Sequence, residues 1–151
     1  MLQLSWAHKE DIMGDIKAFL LPPVMEETKE VVITKRAKGP DGKPVPFVLR
    51  RIDQETNDKL LRRAQKKVKN NGQIIIETDN EKFGKLLVQA CVVEPDFKNA
   101  EICAYYKTVD PLDVPGRMLS SGEYAKLMQE INNLNGFDDD TAEAVEEEAK
   151  N

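Results

Sequence analysis

The chain has 151 residues, 40% of them hydrophobic and 32% charged, the make-up of a globular protein large enough to bury a core without disulfide or metal staples. No apolar run approaches the ~20 residues that span a bilayer; the longest, residues 86–93, is interrupted by Gln89. Lys9, Glu10, Asp11 and Asp15 stand where a signal peptide would carry its apolar stretch, so the sequence predicts a protein of the cytoplasm. The net charge of −5 is uneven. Asp138, Asp139, Asp140, Glu143, Glu146, Glu147 and Glu148 against Lys150 put −6 on residues 138–151, which leaves a nearly neutral body of +1.

Residues 11–20 place Ile12, Met13, Ile16, Phe19 and Leu20 at helical spacing, and Pro22-Pro23 ends that helix. Residues 30–36 and 45–52 are β-branched and aromatic runs separated by Gly39-Pro40-Asp41-Gly42, the chemistry of a turn, so a β-hairpin with a longish loop is expected. Asp53 is a suitable N-cap for a helix over 54–69, with Leu60, Leu61, Ala64 and Val68 as its apolar stripe. Asn70-Asn71-Gly72 reads as the end of that helix. Residues 73–78 fit either a short strand or an apolar connector. Asp79 caps a helix with Phe83, Leu86, Leu87 and Ala90 on one face, running into Cys91 and Val92.

After the break at Glu94-Pro95-Asp96 a short helix carries Phe97, Ala100, Ile102, Cys103 and Tyr106. Asp110-Pro111 opens another through Leu119, because proline at the first helical position lacks only an N–H that would be unpaired anyway. Ser120 and Glu123 have capping-box spacing, and the helix they start buries Tyr124, Leu127, Met128, Ile131 and Leu134. Asn135-Gly136 ends it, with Phe137 as the hydrophobic partner of that cap. Together these elements predict an α+β fold, mainly α: an N-terminal helix and β-hairpin followed by a cluster of four to five helices. The expected organisation is one globular domain over residues 1–137 and a disordered acidic tail over 138–151.

No residue type stands in a pattern that carries catalysis, a metal or a cofactor. The single histidine, His8, lies in a terminal segment, and catalysis needs positioned groups. Cys91 and Cys103 lack further Cys or His at metal-ligand spacing and read as reduced core cysteines. The glycines form no phosphate loop, and Ser120-Ser121-Gly122 lacks the setting of a nucleophile elbow. What remains is a basic stripe, Lys59, Arg62, Arg63, Lys66, Lys67 and Lys69, most of it expected on one side of the helix over 54–69. The first five are the candidate partner-binding residues. Nucleic acid would need more than this near-neutral body offers, so a solvated helix face, or a dock for an acidic segment such as the chain's own tail, fits better. Met25, Met118 and Met128, with Phe97, Tyr105 and Tyr106, would give the second half a soft apolar surface suited to other chains.

Several stretches, in their order and spacing, resemble the XkdN-like tail assembly chaperones of Gram-positive phages and prophages. They are Phe19-Leu20-Leu21-Pro22-Pro23, Val31-Val32-Ile33-Thr34-Lys35-Arg36, Asp41-Gly42-Lys43-Pro44 and Phe47-Val48-Leu49-Arg50-Arg51-Ile52. Two later ones are residues 90–101 and, the strongest, Ser121-Gly122-Glu123-Tyr124 through Asn135-Gly136-Phe137. The resemblance implies a non-enzymatic protein that binds the tape measure protein, aids assembly of tail tube protein subunits and leaves before the virion is complete. It also implies a longer product made by frameshifting near Lys150-Asn151, possible self-association, no cofactor and no membrane partner. The competing expectations are a minor structural tail or connector protein and a nucleic-acid-binding regulator using residues 59–69.

Overall fold

Alternation of inward and outward residues makes Phe47–Arg50 (β2) the middle strand of the main sheet: Phe47 and Leu49 are buried, and Val48 and Arg50 are half-buried. The structure is a computed structural model that describes residues 15–137. Thr28–Val31 (β1) runs antiparallel to β2 with Thr28 opposite Arg50 and Val31 opposite Phe47. On the other side lies Val92–Glu94 (β5), a strand the sequence reading gave to the end of a helix. β5 meets β2 through a register shift between Val48 and Leu49. The first hairpin is therefore narrower than expected: residues 32–36 leave the sheet, and the long connection is pinched only by a bridge between Lys38 and Pro44.

The helices cover one side of this sheet. They are Gln54–Arg63 (α1), Asn80–Cys91 (α2), Ala100–Tyr105 (α3), Val114–Met118 (α4) and Ser121–Asn135 (α5). Their starts are fixed chemically. Asp53 and Asp79 accept from the backbone N–H groups of Thr56 and Lys82, and Asn99 from those of Glu101 and Ile102. A single turn of 3-10 helix, Pro111–Asp113, precedes α4 and is capped by Asp110. Ser120 and Glu123 form the full capping box. At the other end of α5, Gly136 takes the left-handed conformation at φ 76°. The Phe137 N–H donates to the Asn132 carbonyl (2.8 Å) and the Gly136 N–H to that of Asn133 (3.3 Å), which is a Schellman motif. The Phe137 ring nevertheless stays 48% exposed.

One cluster of buried side chains joins sheet to helices. Leu49, Val88, Cys91, Val114, Leu127 and Ile131 have no exposed surface, and Phe47 meets Phe97 edge-on at 6.3 Å. Helix is more abundant than strand among the described residues, and the class is a mixed α and β fold.

Two expectations need correction. The helix over 54–69 stops at Arg63. Residues Gln65–Asn70 (β3) and Gln73–Thr78 (β4) instead form a second hairpin, separate from the main sheet. Asn71 (φ 53°) and Gly72 (φ 80°) are its two-residue turn rather than a helix end. At the N-terminal end residues 15–18 are helical, but Ile16, Phe19, Leu20 and Leu21 are 58 to 76% exposed, so this apolar face packs on nothing described. His8, residues 11–14 and the acidic tail 138–151 lie outside the described residues.

Candidate protein-binding site

The corrected hairpin dismantles the basic stripe. Lys59, Arg62 and Arg63 lie on α1, while Lys66, Lys67 and Lys69 belong to β3. Lys66 and Lys67 are neighbours on an extended strand, where successive side chains point to opposite faces, so the six cations share no single helical face. Lys59 pairs with Glu55 one turn away (3.6 Å) and Lys66 with Glu77 across the hairpin (3.9 Å). Arg62, Arg63 and Lys67 are exposed and have no ion-pair partner among the described residues.

The larger concave feature lies elsewhere, between α2, the 3-10 turn, α4 and the first half of α5. It is an open groove of about 820 Å³. Leu112, Leu119, Tyr124 and Met128 supply its apolar wall, and Gly84 and Gly116 keep it wide. A Cβ built on either glycine would meet no atom within 4 Å, so the missing side chains are open space. The rim is polar. Lys85 reaches Asp113 at 3.2 Å and Glu81 at 3.6 Å, and the Asp113 hydrogen bond raises the lysine pKa. Burial pushes the Tyr124 hydroxyl upward as well. Both groups keep their ordinary protonation at neutral pH, and neither is tuned for proton transfer. Met128, singled out as part of a soft apolar surface, does line this groove, whereas Phe97 is buried in the core. Sequence reasoning missed the groove as a unit; its one legible sign was Gly84, an isolated glycine inside a helical pattern.

A second cleft of about 450 Å³ opens beside the sheet, lined by Phe47, Pro95, Tyr106, Met118 and Arg36. Arg36 closes one side of it. Its guanidinium donates to Glu123 Oε1 at 2.6 Å, to Oε2 at 3.4 Å and to the Met118 carbonyl at 2.9 Å. That hydrogen bond from Arg36, with further ones from Thr34 and the Ser120 backbone, holds the Glu123 carboxyl down at about 2. The same contact raises the Arg36 pKa. Lys126 donates to the Val32 carbonyl at 2.7 Å, so the 32–36 connection is tied twice to α5.

Cys91 is buried and Cys103 half-buried, both as free thiols. No group of His, Cys, Asp and Glu among the described residues is arranged to hold a metal. No helix among them is long and apolar enough to cross a membrane. An apolar groove with a charged rim, a second apolar cleft and an exposed hairpin, with no metal cluster among the described residues, are features of the class of binding proteins.

Comparison with known proteins gives that class its family. Residues 16–150 match the model for phage XkdN-like tail assembly chaperone proteins, and the chain belongs to that family. The YqbN protein of Bacillus subtilis (strain 168) is 38% identical over 141 residues, covering 91% of this chain and 93% of its own length. The phage-like element PBSX protein XkdN of the same organism is 34% identical over 149 residues, covering 96% and 99%. The crystal structure of YqbN superimposes with a TM-score of 0.63 at 34% identity, over 74% of this chain and 87% of that one. The protein therefore has a role in phage tail assembly, and a chaperone family implies a non-enzymatic one.

Proposed function

We propose that the protein holds the tape measure protein of its phage in the cytoplasm of the bacterial host and presents it to polymerising tail tube subunits. The observation that carries this reading is the groove between α2, α4 and α5. Its walls are apolar and include an adaptable methionine, its rim is charged, and its two glycines leave room for side chains from another chain. An amphipathic client helix laying its apolar face there is the ordinary way such a groove is used. Of the five candidate cations Lys59, Arg62, Arg63, Lys66 and Lys67, the exposed Arg62 and Arg63 on α1, which have no ion-pair partner among the described residues, offer acidic segments a second point of contact. Low affinity at each site, repeated over many copies along a long client, suffices to keep it soluble. A frameshifted longer product would add a second domain after the acidic tail to the same holding unit. The separation of the cations between helix and hairpin argues against a nucleic-acid regulator, which needs a continuous basic footprint.

Co-expression with the tape measure protein tests the reading. The wild-type chain is expected to render it soluble and to co-purify with it. Gly84→Leu fills the groove from a position with no atom in the way, so it should fold normally by circular dichroism yet lose the client. A tape measure protein that stays insoluble beside the wild-type chain overturns the proposal. Retention by Gly84→Leu moves the contact to another surface, and recovery of the chain from purified virions makes it a structural component.

A further inference from the structure

The hairpin of β3 and β4 is a two-stranded sheet with two open edges, and the two are unlike. Such a sheet is marginal in isolation and gains stability from a further strand or from packing against another element. β3 carries Lys66, Lys67 and Lys69, and charged residues of this kind keep strand edges from pairing. β4 reads Gln73-Ile74-Ile75-Ile76-Glu77-Thr78, with Ile74 and Ile76 65% and 63% exposed. An exposed apolar edge whose single charge, Glu77, lies near its end is a template for strand addition.

We propose that β4 is completed by β4 of a second copy, giving an antiparallel four-stranded sheet in the order β3-β4-β4-β3 about a two-fold axis at Ile75. The register of the hairpin supports that geometry. The two-residue turn makes Asn70 and Gln73 its closing hydrogen-bonded pair, so Val68 with Ile75 and Lys66 with Glu77 are the next ones. The N–H and C=O groups of Ile74 and Ile76 consequently point off the open edge. Placed antiparallel about Ile75, Ile74 of each copy faces Ile76 of the other and all four sets of backbone groups are paired. Ile75 meets Ile75 as a non-hydrogen-bonded pair, and Gln73 meets Glu77.

Side-chain chemistry selects this junction. One face then carries two rows reading Lys, Ile, Ile, Lys. The other carries a central row of Val68, Ile75, Ile75 and Val68. No two like charges stand opposite each other. The same operation on β3 about Val68 would set Lys67 against Lys69 twice, and directly opposed like charges destabilise a sheet. The completed sheet ends on lysine-bearing edges, so assembly closes at two copies. A single strand junction belongs to the small interfaces below about 1,200 Å², so the dimer should be reversible.

Sedimentation velocity from low micromolar to near-millimolar protein provides the test. The wild-type chain should pass from monomer to dimer with rising concentration. Ile76→Pro deletes an N–H on the open edge and none in the β3 ladder, so it should remain monomeric with an unchanged circular dichroism spectrum. Should that variant lose its fold, Ile75→Cys provides an independent reading. It should link two copies by a disulfide on mild oxidation, as Lys67→Cys on the outer strand should not. A wild-type chain monomeric throughout, dimerisation of a folded Ile76→Pro, or failure of Ile75→Cys to crosslink each overturns the proposal. Loss of the tape measure protein by Ile76→Pro beside a monomeric wild type would give the edge to the client instead. A monomeric chain that still renders that client soluble leaves the chaperone reading standing.

Discussion

Asn135 shows how one side chain near the end of α5 locks three parts of the fold. Its Oδ1 accepts from the Ile52 N–H at 3.0 Å, and its amide donates to the Ile131 carbonyl at 2.9 Å and to Cys91 Sγ at 3.6 Å. Ile52 is 8% exposed, so without Asn135 its N–H has little access to water. Leaving a buried donor unpaired costs about 1–3 kcal/mol. Asn135→Ala should lose stability of that size in urea unfolding. Cys91 supplies a local readout. Burial pushes its thiol up to about 11, with the Asn135 amide and Arg50 opposing the shift only in part. At pH 8 the native Cys91 is a neutral, enclosed thiol and should resist alkylation, since the thiolate is the reactive form. Faster labelling of Cys91 in Asn135→Ala, at a concentration of denaturant where the chain stays folded, would place the damage at this junction. Equal labelling would place it elsewhere.

At the scale of elements, the second hairpin depends on a left-handed residue. Gly72 sits at φ 80°, a conformation costing an L-residue roughly 1–2 kcal/mol. Gly72→Ala should therefore weaken the hairpin by about that much. The core should be spared, since every side chain of β4 is exposed and the Asp79 N–H bond to the buried Ala64 carbonyl (2.6 Å) at the base of the hairpin lies away from the turn. Hydrogen exchange should accelerate across residues 65–78 while the amides of α2 and α5 keep their protection. This element also marks the limit of what the sequence made legible. Lys66, Lys67 and Lys69 are good helix formers, and Val68 stands four residues after Ala64, so local preference and periodicity both extend α1. The deciding partner was β-branched Ile74-Ile75-Ile76 across Asn71-Gly72, a pairing that a one-residue window does not see. Caps written in adjacent residues were legible at Asp53, Asp79, Asp110 and the Ser120–Glu123 box, whereas the Asn99 cap of α3 and the turn at Asn71-Gly72, which reads locally as a helix end, were not. β5 was missed because three residues hold no period, and the groove because α2 forms one wall while residues 112–128 form the rest, a meeting that only the tertiary fold brings about.

For the whole molecule, the Arg36–Glu123 pair joins the stretch leaving the main sheet to the start of the last helix, 87 residues apart. Two of the segments that carry the family resemblance thus meet in space. Glu123 serves both partners at once: its Oε1 accepts from Arg36 at 2.6 Å and from the Ser120 N–H at 2.9 Å. With its carboxyl at about 2 in the folded chain against 4.5 ordinarily, the folded state favours the ionised form. The sign follows from linkage. The unfolded chain binds the proton more readily, so stability from this group is fully present above pH 4.5 and drains away as pH falls toward 2. Glu123→Gln has no proton to gain. It should be less stable than the wild type at pH 7, and the difference should shrink steadily between pH 4.5 and 2 as the wild type loses its carboxylate. Parallel unfolding curves of the two proteins over that range would show that the pair does not couple the sheet connection to the helix. Convergence of the two would show that the ionised Glu123 carboxylate, which Arg36 and the Ser120 N–H bind, ties the sheet connection to the last helix.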